Sequence, residues 1–379
     1  MDRPVSVTSS RHDPHLRWLD LRIPVPSVGG QQGWEIAASV YLPDDDVLAG
    51  RPPALVVLPG GGYSRRYFDL PVPGYSQAEH HVRQGIVVVA VDYLGAGDSS
   101  VPLLDVTTLP TVAAANHAAV SAVLDRLRRG TLADGVPQAD LASVTGAGQS
   151  LGGQVLVATQ ARHRTFDGVA MLGSSMAGTA LPVRPGVPEA AIPERATPEQ
   201  THMLATAGID WNWAFHWEDT AVPGTPSAPR DGASLVAADI ASGLPARHTA
   251  VEWGSRTAPG FAITALMPGA VASEAAVIDV PVLLATGERD VCRTPAEKVA
   301  VFKAATDVSV FTVPRMAHMH NFAATRAQLW ERLDEFIAHV TPRPPSAGRS
   351  AANATHEDAR SGPISVWNAR RQGRSGRAW

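Results

Sequence analysis

The chain has 379 residues, 45% of them apolar, a formal net charge of −4 and one cysteine, Cys292. The length permits one large domain or two smaller ones with a sizeable core; the charge gives no sign of a nucleic-acid binder, and a lone cysteine excludes an internal disulfide and fits a reducing compartment. No stretch reaches the roughly 18 apolar residues of a membrane span, and MDRPVSVTSSRHDPHLRW lacks the apolar centre of a signal peptide, so the expected location is the cytoplasm, with oligomeric state left open.

Leu16–Ile23 and Trp34–Leu42 alternate apolar and polar residues, as half-buried strands do, and predict an antiparallel pair at a sheet edge. PALVVL (53–58) and GIVVVAV (85–91) are apolar throughout, which suits parallel strands covered on both faces. A crossover helix is expected between them at Tyr75–Gln84, and a long alanine-rich helix at Thr111–Arg129. Further strands are expected at Leu141–Gly146, Phe166–Leu172, Val277–Thr286 and Val308–Val313, with helices at Gln154–Arg164, Pro295–Ala305 and Thr325–Val340. Such alternation implies an α/β fold, a mostly parallel sheet with helices on both faces.

One interruption, 177–265, is too long for a loop within a compact domain and reads as an inserted cap. The expected organisation is a core in two parts, 1–176 and 266–340, around that cap. A tail, 341–379, carries seven arginines against two acids and few apolar residues. Disorder is expected there, with docking through Ile364, Val366, Trp367 and Trp379 as the alternative.

The chemistry centres on Gly148-Gln149-Ser150-Leu151-Gly152, set between a predicted strand and a predicted helix. A sharp strand-to-helix turn needs small residues two before and two after the nucleophile. A serine hydroxyl is a poor nucleophile without a base, and the base needs an orienting acid. In the order serine, acid, histidine, Asp290 (in TGERD) and His318 (in PRMAHMHN) each follow a predicted strand end. Glu288 competes for the acid role and His320 for the base. PGGGY (59–63) would supply an oxyanion hole from the Gly61 N–H, with Gly62 the second choice, beside the Leu151 N–H.

These motifs resemble the α/β-hydrolase superfamily from about residue 16 to 340. LPGGG is similar to the family's oxyanion loop, DYLGAGDS (92–99) to its D-x-x-G-x-G-x-S turn, and GQSLGG to its nucleophile elbow. GERD is similar to the segment carrying its acid, and AHMHNF to that carrying its histidine. Pro59 stands where a histidine commonly precedes the oxyanion glycine, and Ala317 where a glycine often precedes the catalytic histidine. The resemblance implies a serine hydrolase acting on a small-molecule carboxylic ester or lactone through Ser150, His318 and Asp290, with no cofactor and no metal. C–C bond hydrolases, thioesterases, amidases and acyltransferases share this triad, and a non-catalytic ligand-binding protein is the reading from another class. Members that attack with aspartate are disfavoured because the elbow residue is Ser150.

Outside the triad, Tyr63, Trp211, Trp213, Trp217 and His320 are candidate substrate contacts. The WNWAFHW run (211–217) has two readings, a wall over an apolar substrate or aromatics packing the cap onto the body. His80, His81, His117 and His339 fall in helical stretches and are expected at the surface, and Cys292 reads as a structural thiol.

Overall fold

The computed structural model describes residues 8–9, 16–188, 193, 195–217, 231–244, 246–291 and 295–342. Among the described residues nine strands form one sheet: β1 (Thr8–Ser9), β2 (Arg17–Pro24), β3 (Glu35–Leu42), β4 (Ala54–Leu58), β5 (Val87–Val91), β6 (Val144–Gln149), β7 (Gly168–Leu172), β8 (Val282–Gly287) and β9 (Val308–Val313). Their order across the sheet is β1-β2-β3-β5-β4-β6-β7-β8-β9. β1, β2, β3 and β5 pair antiparallel in sequence along one edge, and β4 to β9 pair parallel.

The two-residue period of a strand explains why the inner strands are apolar throughout. Ala54, Val56 and Leu58 of β4 face one way, into a core with Val112, Val120 and Leu127 of helix Leu109–Arg129. Leu55 and Val57 face the other way, into a second core with Leu333, Phe336 and Ile337 of helix Arg326–Val340. Both layers are needed, because a strand apolar on both faces leaves no side for water.

Several boundaries move. Helix Leu109–Arg129 begins two residues before the expected start, since the Thr108 side chain caps it and Pro110 fits a first turn that needs no N–H there. β6 begins at Val144 rather than Leu141, its pairing with β4 starting at Ala54, with the Ala142 N–H bonded to the Pro52 carbonyl just ahead of it. β8 begins at Val282, the preceding residues having closed a short helix at Ala272–Ala275. Helix Pro295–Ala300 stops early, as Phe302 and Lys303 close tight turns onto Val299 and Val301.

Between β7 and β8 the chain leaves the sheet, and its described residues form helices at Pro198–Thr206, Trp211–Phe215 and Gly232–Ala241 and a 3₁₀ turn at Gly260–Thr264. Cys292 and residues 343–379, which hold nearly all of the expected tail, lie outside the described residues. Among the described residues no helix is long and apolar enough to cross a membrane.

The surface expectation fails for His81, which is completely buried. Its Nδ1 bonds Asp334 Oδ1 at 2.6 Å and its Nε2 meets Gln77 at 3.2 Å, so both ring nitrogens have partners without water. His80 shares the same carboxylate, at 2.8 Å.

Candidate active site

Parallel strands deliver their following loops to one edge of the sheet, where open α/β folds hold their sites. β4 leads into the glycine loop 59–62, β6 into Ser150, β8 into Asp290 and β9 into His318.

Ser150 has φ +51 and ψ −119, a conformation that L residues rarely adopt, between β6 and helix Leu151–His163. The bend brings backbone onto backbone. A Cβ on Gly148 would lie 2.5 Å from the Gly152 carbonyl oxygen, and one on Gly152 would press into the Leu58 and Pro59 carbonyls. The two glycines thus let the elbow close against β4 and lift the hydroxyl clear of the sheet edge.

His318 Nε2 stands 2.9 Å from Ser150 Oγ, and His318 Nδ1 stands 2.7 Å from Asp290 Oδ1. An ionised carboxylate only accepts, so Nδ1 carries the proton and Nε2 is free to accept from the serine. Asp290 takes further bonds from the Val291 N–H on Oδ1 and from the Gly287 N–H and His320 Nε2 on Oδ2, all within 2.8 Å. Burial would push this carboxyl up, but the imidazoles of His320 and His318 and their hydrogen bonds outweigh it and hold it well below the usual carboxylate range.

Of the competing pairs, Glu288 is exposed and accepts the Arg315 N–H, while His320 meets Asp290 and not Ser150. The His320 Nδ1 is buried without a partner among the described residues. Sequence reasoning passed over Gln149, whose side-chain amide donates to the His318 carbonyl at 3.0 Å. It thereby ties the elbow to the histidine loop.

The loop 59–62 lies across the elbow. Tyr63 N–H closes a tight turn onto the Gly60 carbonyl at 3.2 Å, and Gly62 sits at φ +78, as the third residue of such a turn can require. A Cβ on Gly61 would touch the Leu151 side chain at 3.6 Å. The N–H groups of Gly61 and Leu151 have no acceptor among the described residues.

A cavity of about 330 Å³ opens over Ser150 and His318, with Leu181, Trp211, Phe215 and Leu266 among its walls. No carboxylate, lysine or arginine is among its described lining residues. Of the candidate substrate contacts, the cavity includes Trp211 but not Tyr63, Trp213, Trp217 or His320. Trp213 and Trp217 instead stack on the Arg289 guanidinium at 4.2 and 4.7 Å, and Arg289 donates to the His216 carbonyl at 2.6 Å. Two of the three tryptophans therefore pack the segment between β7 and β8 onto the loop that follows β8. Tyr63 is fully buried and donates its hydroxyl to Asp239 at 2.7 Å. Among the described residues the one group that could gather around a metal ion is His80, His81 and Asp334, packed between helices Gln77–Arg83 and Arg326–Val340 and absent from the cavity lining.

A family model for the alpha/beta hydrolase family matches residues 55–332. Comparison with the curated proteins finds no match. Among solved structures, a thermophilic esterase from Thermogutta terrifontis with malate bound is similar at 16% identity and a TM-score of 0.53, over 85% of this chain and 99% of that one. A bromoperoxidase from Bacillus anthracis aligns at 18% identity and 0.53, over 84% of this chain and 99% of the other. An esterase from Exiguobacterium antarcticum aligns at 15% and 0.52, over 84% and 100%. At such identities the likeness is one of fold.

Proposed function

We propose, from the premise that this chain belongs to the alpha/beta hydrolase family, that it is a serine hydrolase cleaving a neutral, largely apolar carboxylic ester or lactone. The observation that carries the reading is the unbroken hydrogen-bonded series from Ser150 Oγ through His318 to Asp290. The N–H groups of Gly61 and Leu151, without an acceptor among the described residues, and the cavity, with no carboxylate, lysine or arginine among its described lining residues, support the substrate class.

Ser150 Oγ attacks the ester carbonyl while His318 Nε2 takes its proton. The carbonyl oxygen becomes an alkoxide held by the N–H groups of Gly61 and Leu151. Asp290 keeps Nδ1 protonated and steadies the imidazolium. Collapse breaks the bond to the alcohol oxygen, which receives the proton from Nε2. Water then attacks the acyl-enzyme with His318 again as base, releasing the acid and restoring the Ser150 hydroxyl. The location expected from the sequence, the cytoplasm, is part of the same proposal.

A fluorophosphonate probe with site-mapping by mass spectrometry tests the reading. The expected result is an adduct on Ser150 of the wild type and none in Ser150→Ala. Turnover of esters graded by acyl length should accompany it. Ligand binding without turnover in both proteins would favour the binding-protein reading.

A further inference from the structure

The cap contains a buried ionic hub that the triad does not use. Asp239, on helix Gly232–Ala241, is completely buried. Its Oδ1 accepts from Arg247 at 2.8 Å and from the Trp253 indole N–H at 2.6 Å. Its Oδ2 accepts from the Tyr63 hydroxyl at 2.7 Å and from His216 Nε2 at 2.9 Å. Burying an ion pair is costly and is repaid only by such saturation, so a hub of this kind is a poor device for stability alone.

What it touches on the body side gives it a purpose. Arg247 Nε donates to the Gly62 carbonyl at 2.7 Å, and the Ser255 N–H donates to the same oxygen at 3.0 Å. The Arg247 guanidinium lies 4.4 Å over the Tyr63 ring, while its remaining N–H groups hold the Asp239 carbonyl and the Ser242 hydroxyl. Ser64 N–H continues the seam onto the Trp253 carbonyl at 2.9 Å. Residues 62–64 of the body are thus sewn to 239–255 of the cap. The turn that presents the Gly61 N–H has no side chain of its own at Gly60, Gly61 or Gly62 to fix it, and glycine backbone is otherwise free to rotate.

We propose that Arg247 is a positioning residue that fixes the oxyanion loop from the cap by gripping the Gly62 carbonyl. The cap is on this account part of the catalytic frame as well as a cover over the substrate. The proposal rests on the reading of Gly61 and Leu151 as oxyanion donors. Arginine suits the task because its rigid fork serves Gly62 and Asp239 at once, whereas a lysine ammonium on a flexible stem cannot hold both in one plane.

Two variants test it on the full chain. Arg247→Lys keeps a positive charge beside Asp239 but loses the fork. The double variant Asp239→Asn/Arg247→Met removes both charges, so that no buried charge is left unpaired, and takes the arginine's grip from the Gly62 carbonyl. In both, with far-ultraviolet circular dichroism unchanged and assay well below melting, kcat is expected to fall about 10- to 100-fold with KM within about twofold. Labelling of Ser150 by the fluorophosphonate should slow in parallel, and hydrogen exchange should quicken in peptides covering 59–64. A purely structural hub would lower the melting temperature and leave kcat and labelling at wild-type values in the folded double variant, which would overturn the proposal. Wild type that labels at Ser150 with variants that match it defeats this inference alone, whereas wild type that neither labels nor turns over defeats the serine-hydrolase reading and this inference with it.

Discussion

Two buried carboxylates organise this molecule, and they are built almost alike. Asp290 and Asp239 are both shut away from water, each accepts four donors within 2.9 Å, and each is held below the ordinary carboxylate range against the pull of burial. The difference is in the partners. Asp239 is matched by a permanent cation, Arg247, whose guanidinium cannot give up its proton. Among the described residues the hydrogen-bond donors to Asp290 are two imidazoles and two backbone N–H groups, and none of them is a fixed positive charge. Its charge therefore stays available, as the proposed mechanism requires, for an imidazolium at His318. A neutralised carboxylate makes a joint, and an uncancelled one can do chemistry.

The largest effect should come from swapping each carboxylate for its amide. Asp290→Asn is expected to lower kcat by about 10⁴-fold, because Nδ1 loses its acceptor and the wrong tautomer is favoured, while the fold survives. Asp239→Asn leaves Arg247 charged and uncompensated, and should cost about 3–5 kcal/mol of stability by denaturant titration. If Asp239→Asn proved as stable as wild type, or Asp290→Asn as active, the contrast between joint and chemistry would be lost.

His320 sharpens the comparison, since it occupies beside Asp290 the place that His216 takes beside Asp239. Replacing it by Ala should cost about 10- to 100-fold in kcat through a less firmly oriented carboxylate, as loss of a supporting shell does at other sites. His320→Gln can still donate to Oδ2 and should recover most of that loss. Equal activity in the two variants would leave His320 no part in holding Asp290.

The tryptophans separate cover from contact. Trp211→Ala enlarges the cavity and should shift the preference toward bulkier acyl groups. Trp213→Ala removes a ring stacked on Arg289 and should cost about 0.5–2 kcal/mol of stability with the preference unchanged. A change of preference in Trp213→Ala would restore the wall reading for that residue.

Acid stability should show the smallest effects, in two windows. Asp239 and Asp290 are held below their unfolded value of 3.8, so their contribution is complete above about pH 5 and is lost as pH falls toward the folded values. His81 is lowered from 6.5, chiefly by burial and in spite of its bond to Asp334. Below about pH 6.5 the unfolded chain takes up this proton first, so stability declines as pH falls. Melting curves should therefore fall gently from pH 7 to 5 and steeply below pH 4. His81→Gln should flatten the gentle part and leave the steep one.

Much of the core was legible from sequence because its signals are local. Apolar runs with glycine stops mark buried parallel strands, and GQSLGG marks a bend whose crowding follows from backbone geometry alone. Strand starts shifted by a few residues where regular pairing begins later than the apolar pattern, as at β6, whose register with β4 starts at Val144. The order serine, acid, histidine could be read because all three follow parallel strands, and such strands end on one edge.

What sequence could not show is everything that depends on two distant segments meeting. His318 and His320 are two residues apart with the same chemistry, and only the loop's path decides which faces Ser150 and which faces the far oxygen of Asp290. Asp239, Arg247 and Gly62 carry no shared motif; they meet because the segment between β7 and β8 folds back onto the glycine loop. WNWAFHW reads as one aromatic patch, yet helical rotation sends Trp211 and Phe215 toward the cavity and Trp213 toward Arg289. By itself the sequence determined the sheet and the sharp turn at Ser150, and it singled out Ser150, Asp290 and His318 as residues to expect together, since periodicity and local sterics act over a few residues. The tertiary structure alone decided which histidine meets the serine, which tryptophan meets the cavity, and that Arg247 meets the Gly62 carbonyl, because those are contacts between segments that the chain's own order does not bring together.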